Sequence, residues 1–307
     1  MVAGMTYYEI CWYFLIYSFG GWIVEVIFHA VTLGKVVNRG FLNGPVCPVY
    51  GFGVLSVFAA INLMQSNGQR LNSLEIFLFG VILATLVELL AGWLLDRCFH
   101  ARWWDYSAKP FNFRGYICLE FSLIWGLAIL FVVHIFQTFV DHHTVKSLAP
   151  REGWILLALL YAIYLADFLV TLAIIRGFNK NLTKLDQIRS DMRIVSDRIS
   201  ERVGTRTLET AQIVDEGKLQ AKLARAELKD VIREKKTELA DVQTIKQQDT
   251  VKDLKDKFNA LQGEFDRISS SLTSASFFGQ GHLLKAFPEM KHRKYPELIK
   301  VLKEKLH

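Results

Sequence analysis

Residues 74–96 read LEIFLFGVILATLVELLAGWLLD, an almost wholly apolar run long enough to cross a bilayer as a helix. Inside it Gly80, Ala84, Glu88, Gly92 and Asp96 recur at i+4 and so share one helix face. Small residues at that spacing let helices approach closely. A carboxyl on the same stripe is expensive at bilayer depth, which turns it toward a helix seam rather than lipid. The stretch therefore predicts a membrane span with a polar inner face and an apolar outer one.

The span itself is placed at 74–95, and four more segments meet the length requirement: 7–30, 46–64, 116–138 and 153–175. The first contains Glu9 and Glu25 and lacks a basic leading region, so it reads as a retained span and not a signal peptide. The expected fold is all-α: a polytopic membrane helix bundle of five transmembrane helices over residues 1–178. A cytoplasmic coiled-coil or helical-hairpin extension over 179–273 and a basic tail over 274–307 follow it. Charge divides the chain at the same place. Residues 1–178 hold ten Lys and Arg against ten Asp and Glu, whereas residues 179–307 hold 26 against 20 and carry the whole net charge of +6. Lys35, Arg39, Arg97, Arg102, Lys109 and Arg114 flank one set of span ends, and Arg70, Lys146 and Arg151 the other. The richer side is cytoplasmic by the positive-inside bias, which puts the N-terminus outside and the C-terminus in the cytoplasm.

With that topology the intramembrane acids Glu25, Glu88, Glu120 and Asp167 lie at one depth, in the cytoplasmic half. On the first span Ser18, Gly21, Glu25 and His29 repeat the pattern of small residue and acid. These acids are candidates for a polar vestibule; Arg39, Arg97 and Arg114 are candidate cations to cap them. Between the first two spans the run Asn38-Arg39-Gly40-Phe41-Leu42-Asn43-Gly44-Pro45-Val46-Cys47-Pro48-Val49-Tyr50-Gly51 is too rich in Gly, Pro and Asn to be a plain connector. Asn38, Arg39, Gly40, Asn43, Gly44, Cys47 and Tyr50 are taken as an inner-mouth motif. Trp104, Asp105, Asn112 and Arg114 of the third loop join it. The loops around Asn38–Phe41 and Asn112–Gly115 share Asn, Arg, Gly and Phe, which suggests that they face one another. Trp103 and Trp104 beside basic residues suit an interface belt.

Several chemistries find no pattern here. No GxxxxGK[ST] loop, HExxH or CxxC pair occurs, so no catalytic residue, metal site or cofactor is assigned. The four cysteines, Cys11, Cys47, Cys98 and Cys118, read as thiols.

Residues Tyr7 to Ile175 resemble the CmpB-type family of bacterial membrane proteins, described as ABC-transporter type IV permeases. The resemblance rests on Gly21-Trp22 with Glu25, the Asn38–Gly51 run, Glu88, Trp104-Asp105-Tyr106, and Phe111-Asn112 leading to Gly115-Tyr116-Ile117-Cys118-Leu119, Ser122 and Trp125-Gly126. It implies a polytopic bundle in a bacterial cytoplasmic membrane. An ABC reading further implies a separate ATPase subunit as partner.

The resemblance stops before the extension. No proline occurs between Pro150 and Pro288, which permits long helices. Leu185, Ile188, Met192, Val195 and Ile199, and later Val251, Leu254, Phe258, Leu261, Phe265, Ile268 and Leu272, alternate by three and four, the spacing of a coiled-coil seam. Two arrangements fit, an oligomeric stalk or a hairpin turning near 204–217 or 246–250, with Gly204 and Gly217 as bends. About 90 residues in one straight helix would reach roughly 135 Å, which favours folding back. The expected function is transport, by a permease or channel that meets the lipid bilayer and forms a homo-oligomer through the coiled coil. A membrane-anchored scaffold or sensor is the alternative, and an inner-leaflet lipid-modifying enzyme a minor one. Nothing in the basic tail reads bases, so nucleic acid is not an expected partner.

Overall fold

The computed structural model describes residues 4–34, 38, 40–145, 149–223, 231–274 and 279–306, with the side chains of all these except 32, 33, 143, 144, 204–223 and 231–250. It is an all-α membrane helix bundle, and among the described residues five helices are long and apolar enough to span a bilayer. Two compact units divide it: residues 1–180 with 271–307, and residues 181–270.

In the first unit, helix α1 (Tyr7–Leu33) starts at a capping box. The Thr6 hydroxyl accepts from the Glu9 N–H, and the Glu9 carboxyl accepts from the Thr6 N–H at 2.7 Å. Gly34, at φ 66°, ends the helix in the left-handed region. Helix α2 (Pro48–Ser66) begins with proline in its first turn, where no N–H is needed. Helix α3 (Ser73–Phe99) opens on a second capping box, Asn72 with Glu75, and is π-wound over Gly80–Ala84. Helix α4 (Leu119–Val140) is π-wound over Val132–Phe136, and a further π turn, Asp141–Val145, follows it. Helix α5 (Pro150–Leu223) carries the fifth span and continues beyond it.

The i+4 ladder of α3 is the buried face of that helix. Gly80, Ala84, Glu88, Gly92 and Asp96 are all buried, while Leu78, Ile82, Leu86, Leu90 and Leu94 are exposed. Lipid tails are as apolar as leucine, so packing is won by close backbone approach and not by burying large side chains. At Gly80 a Cβ would stand 2.8 Å from the Cβ of Ile129, and at Gly126 one would stand 2.6 Å from the Phe77 ring. The α3–α4 crossing thus needs both glycines. Met5, Trp12, Tyr13, Tyr17, Val57, Phe58, Ile76, Ile129 and Leu157 belong to an apolar core to which all five spanning helices contribute.

Two short loops of strand structure close one end of the bundle. Strand β1 (Ala101–Arg102) follows α3. Strands β2 (Asn112–Phe113) and β3 (Ile117–Cys118) pair antiparallel around a turn in which Arg114 and Gly115 both have positive φ, 51° and 73°. The chain returns to this unit after residue 270. Helix α7 (Gln280–Ala286), strand β4 (Lys291–His292) and helix α8 (Pro296–Glu304) form its C-terminal segment, and β4 pairs antiparallel with β1. The stretch taken from sequence as a separate basic tail therefore belongs, from residue 279, to the bundle unit.

The second unit is formed by α5 from residue 181 and by helix α6 (Val231–Thr273) up to residue 270. Lys184 pairs with Glu264 at 2.6 Å, so the two helices run back along one another. Leu185, Ile188 and Val195 are buried, and Val251, Leu254, Phe258, Leu261, Phe265 and Ile268 are each partly buried. Those are the positions of the three-four pattern. The turn is not where the sequence suggested: helix runs through Gly204 and Gly217 to Leu223, and through 246–250 in α6. Glycine costs a helix interior only about 1 kcal/mol, too little by itself to end it.

Candidate functional site

Four helices and one loop bring a chain of polar groups together at the end of the bundle that carries β1–β3. Tyr50, in the first turn of α2, donates its hydroxyl to Glu25 of α1 at 2.7 Å. Its ring meets the Trp125 ring of α4 edge-on, with centroids 4.8 Å apart. The Trp125 indole N–H donates to Glu88 of α3 at 3.0 Å, and the Tyr106 hydroxyl donates to the other Glu88 oxygen at 3.1 Å. Glu25, Tyr50, Trp125, Glu88 and Tyr106 thus form one continuous row. Glu88 is 5% exposed. Tyr106 stacks on Phe121 at 4.9 Å, and burial first, then the adjacent Glu88 carboxyl, drives its hydroxyl pKa far above the usual tyrosine value.

The donors to Glu88 are neutral. Among the described residues neither Arg97 nor Arg114 forms an ion pair with any of the predicted acids; Arg114 lies instead over the Phe113 ring, 5.8 Å from its centroid. Arg39 lies outside the described residues. The fixed arginine cap that sequence allowed is therefore absent at the described positions. His29, one turn beyond Glu25, approaches it at 3.4 Å.

The other two predicted acids sit apart from this row. Asp167 accepts the Gly44 N–H at 2.9 Å, and one turn on, Thr171 accepts from both the backbone and side-chain N–H groups of Asn43 at 3.2 and 3.0 Å. Together they staple the first loop to α5. Glu120 is exposed and pairs with Lys109 at 2.9 Å; that hydrogen bond raises the Lys109 pKa.

Asn38 organises the first loop. Its side-chain oxygen accepts from the Trp22 indole at 2.7 Å and the Gly40 N–H at 3.1 Å, and its amide donates to the Asn43 carbonyl at 2.7 Å. Cys47 is buried at the start of α2, its N–H bonded to the Ser18 carbonyl at 2.9 Å. Asn112 works within its own hairpin, donating to the carbonyls of Ser107 and Lys109 and accepting from Gly115 N–H. The two Asn-Gly loops do not meet through these residues. The first loop touches the third through Phe41, whose ring is 5.4 Å from that of Trp103. Trp103 is buried against protein, unlike the interface belt expected of it, while Trp104 packs its ring on Gly92 and donates its N–H to the Tyr116 carbonyl.

Asp96 is the residue that sequence reading placed on the ladder but left out of the site. It is fully buried, and one oxygen accepts from Arg102 at 3.3 Å, Arg293 at 2.7 Å and the Tyr116 hydroxyl. Asp105 meets Lys291 at 2.6 Å and both the N–H and hydroxyl of Ser107. Burial pushes its pKa up, but the Lys291 and Ser107 hydrogen bonds outweigh that and hold it below the usual range. Lys291 and Arg293 come from nearly 200 residues away, so spacing gave no signal for them. Toward the opposite end of the bundle a second cluster was also unmarked: Tyr13 and Gln137 both donate to Asp141, at 2.6 and 2.8 Å, and Tyr17 donates to Gln137.

No curated protein and no solved structure matches the chain. A family profile does: residues 12–172, just over half the chain and the whole of the Glu25–Glu88 row, match the family described as "Putative ABC-transporter type IV". The chain is thus a multi-pass membrane protein of a transporter-type family, and that CmpB family is the one to which it belongs.

Proposed function

We propose that this protein is a permease or channel of the bacterial cytoplasmic membrane, with its N-terminus outside and a polar acidic vestibule on the cytoplasmic side. Glu25 and Glu88 supply the negative potential of that vestibule, Asp167 braces its wall and Glu120 stands at its rim. Asn38, Gly40, Asn43, Gly44, Cys47, Tyr50, Trp104, Asp105, Asn112 and Arg114 shape the mouth. The single observation that carries this reading is the bonding of Glu88. A carboxyl at membrane depth whose described donors are an indole and a phenol has no fixed cation beside it and is left to pair with a passing one, whereas an arginine-sealed carboxyl would already be paired. Cationic solutes are the implied cargo. The 181–270 unit is a cytoplasmic oligomerisation element, and energy coupling through the ABC route requires a separate ATPase subunit.

The test is flux of alkali and divalent cations and protons into proteoliposomes, read with ion-sensitive dyes. Glu25→Gln and Glu88→Gln should each abolish flux while the protein still inserts and elutes at its normal size. Unchanged flux in both variants would remove the proposal. The second reading, a membrane-anchored scaffold or sensor, draws on the 181–270 hairpin, which is a compact unit by itself. It predicts that deleting the hairpin abolishes the cellular phenotype while the two Gln variants matter only through stability.

A further inference from the structure

The chain covers its own candidate mouth. Three anchors hold the C-terminal segment 279–306 across both loops. At the first loop His282 Nε2 contacts the Asn38 carbonyl at 2.7 Å, and the Gly279 N–H donates to the Asn43 side chain at 3.4 Å. In the middle, the Phe287 ring meets Trp103 edge-on at 4.9 Å. At the third loop β4 adds to β1, with Ala101 opposite His292 and Arg102 opposite Lys291, and the Arg293 N–H donates to the His100 carbonyl at 2.9 Å.

The strand is recognised by charge as well as by backbone. Residues two apart leave a strand on one face. Lys291 and Arg293 accordingly reach two carboxyls on the same side, Asp105 and Asp96, while His292 turns inward and is buried. Both carboxyls are nearly inaccessible, yet the Lys291 and Arg293 side chains are more than half exposed, so water reaches the lock from its cationic half. The segment is also a folded body with bonds of its own. Lys303 donates to the carbonyls of Pro288 and Met290, and the His292 imidazole accepts from the N–H groups of Lys294 and Tyr295. It can therefore part from the loops as a unit.

We propose that residues 279–306 are an autoinhibitory cover: a Lys-His-Arg strand docked on Asp105 and Asp96 closes the mouth, and its release opens the way to the Glu25–Glu88 row. The 181–270 unit leads into the cover along the chain, its last residue lying a few residues before Gly279. The inference rests on the proposed transport function for its physiological meaning, but the docking itself is testable without it.

Cys47 is the reporter, since it is 6% exposed and lies in the same loop motif as Asn38 and Asn43, the two residues that the segment bonds. In full-length protein carrying Cys98→Ser, a membrane-impermeant maleimide is applied to the cytoplasmic face of inverted vesicles and peptide mass spectrometry measures labelling at Cys47. Lys291→Glu with Arg293→Glu should speed labelling by ~10-fold, the change that follows from shifting a mostly closed population toward open. Arg102→Cys with Lys291→Cys, register partners across β1 and β4, should form a disulfide on oxidation and hold labelling at or below the wild-type rate until reduced. Cation flux should follow the same order. Labelling that is indifferent to both the charge reversal and the cross-link would overturn the cover, as would a cross-linked protein with full flux. A response in labelling with no flux in any variant would uphold the cover and sink the transport reading instead. The cross-linked pair also guards against misfolding in the charge-reversed variant, because it must restore protection on oxidation alone.

Discussion

Tyr50 lies directly on Gly21: a Cβ at residue 21 would overlap the tyrosine ring, whereas one at Gly20 would meet nothing within 4 Å. The contact sets the distance between α1 and α2 and aims the Tyr50 hydroxyl at Glu25. Gly21→Ala should destabilise the bundle by about 1–3 kcal/mol, the usual cost of overpacking. Gly20→Ala should be neutral or slightly stabilising, since an open helical position gains from losing glycine's freedom. Thermal unfolding in detergent checks the pair, and equal melting temperatures for the two would refute the contact.

The Glu88 carboxyl satisfies two donors at once, Trp125 and Tyr106. Removing the acceptor leaves both unpaired, at about 1–3 kcal/mol each. Glu88→Ala is expected to be clearly less stable than Glu88→Gln, which keeps one carbonyl oxygen. Tyr106→Phe in the Glu88→Ala background should recover part of the loss, because it deletes one orphaned donor. If Ala and Gln variants melt together, the two bonds do not hold the bundle.

Gly115 combines a φ of 73° with a position where a Cβ would run into the Asp105 carboxyl. Gly115→Ala pays the left-handed penalty of roughly 1–2 kcal/mol and also displaces Asp105 from Lys291. Hydrogen exchange at residues 112–118 should accelerate, and so should exchange at 291–293. Acceleration in the hairpin alone would show that Asp105 does not bind the C-terminal strand.

His292 gives the docked segment a pH dependence. Burial first, then the neighbouring His100 and Lys294 charges, lowers its pKa from 6.5 to about 4. The docked form thus holds it neutral and disfavours the proton, so the stability it contributes is complete above pH 6.5 and is lost as pH falls toward 4. Tryptic cleavage after Lys294 should be slow at pH 7.5. Hydrogen exchange at residues 291–295, corrected for its intrinsic pH dependence, should rise steadily between pH 6.5 and 4.5. His292→Gln should flatten that rise; an undiminished slope in the variant would assign it elsewhere, Asp105 titrating only below the ordinary carboxylate range.

Much of this could be read along the chain because the membrane restricts what a sequence can mean. Lipid offers no hydrogen bonds, so an apolar run of span length has to be a helix, and five such runs set the class and number of the spans. The α3 ladder was legible for a related reason: helical periodicity fixes which residues share a face, and the price of a carboxyl in lipid fixes which face turns inward. The three-four positions of α5 and α6 were legible by periodicity too.

Partner choice was not. Among the described residues Glu88 chose Trp125 and Tyr106 over Arg97 or Arg114, and Asp167 chose the Gly44 backbone, because helix crossing distances and not spacing along the chain decide which donor arrives first. Gly204 and Gly217 promised a break, yet helix runs through both, since a glycine costs a helix only about 1 kcal/mol. The C-terminal residues read as a separate basic tail because nothing local explains Lys291 and Arg293. Only folding brings them to Asp105 and Asp96, across some 190 residues of chain. Sequence alone determined what must be helical, what must face inward and where charge was too costly to leave unpaired. The tertiary structure decided who pairs with whom, since hydrogen bonds and ion pairs act over a few ångströms and those distances exist only once the helices have met.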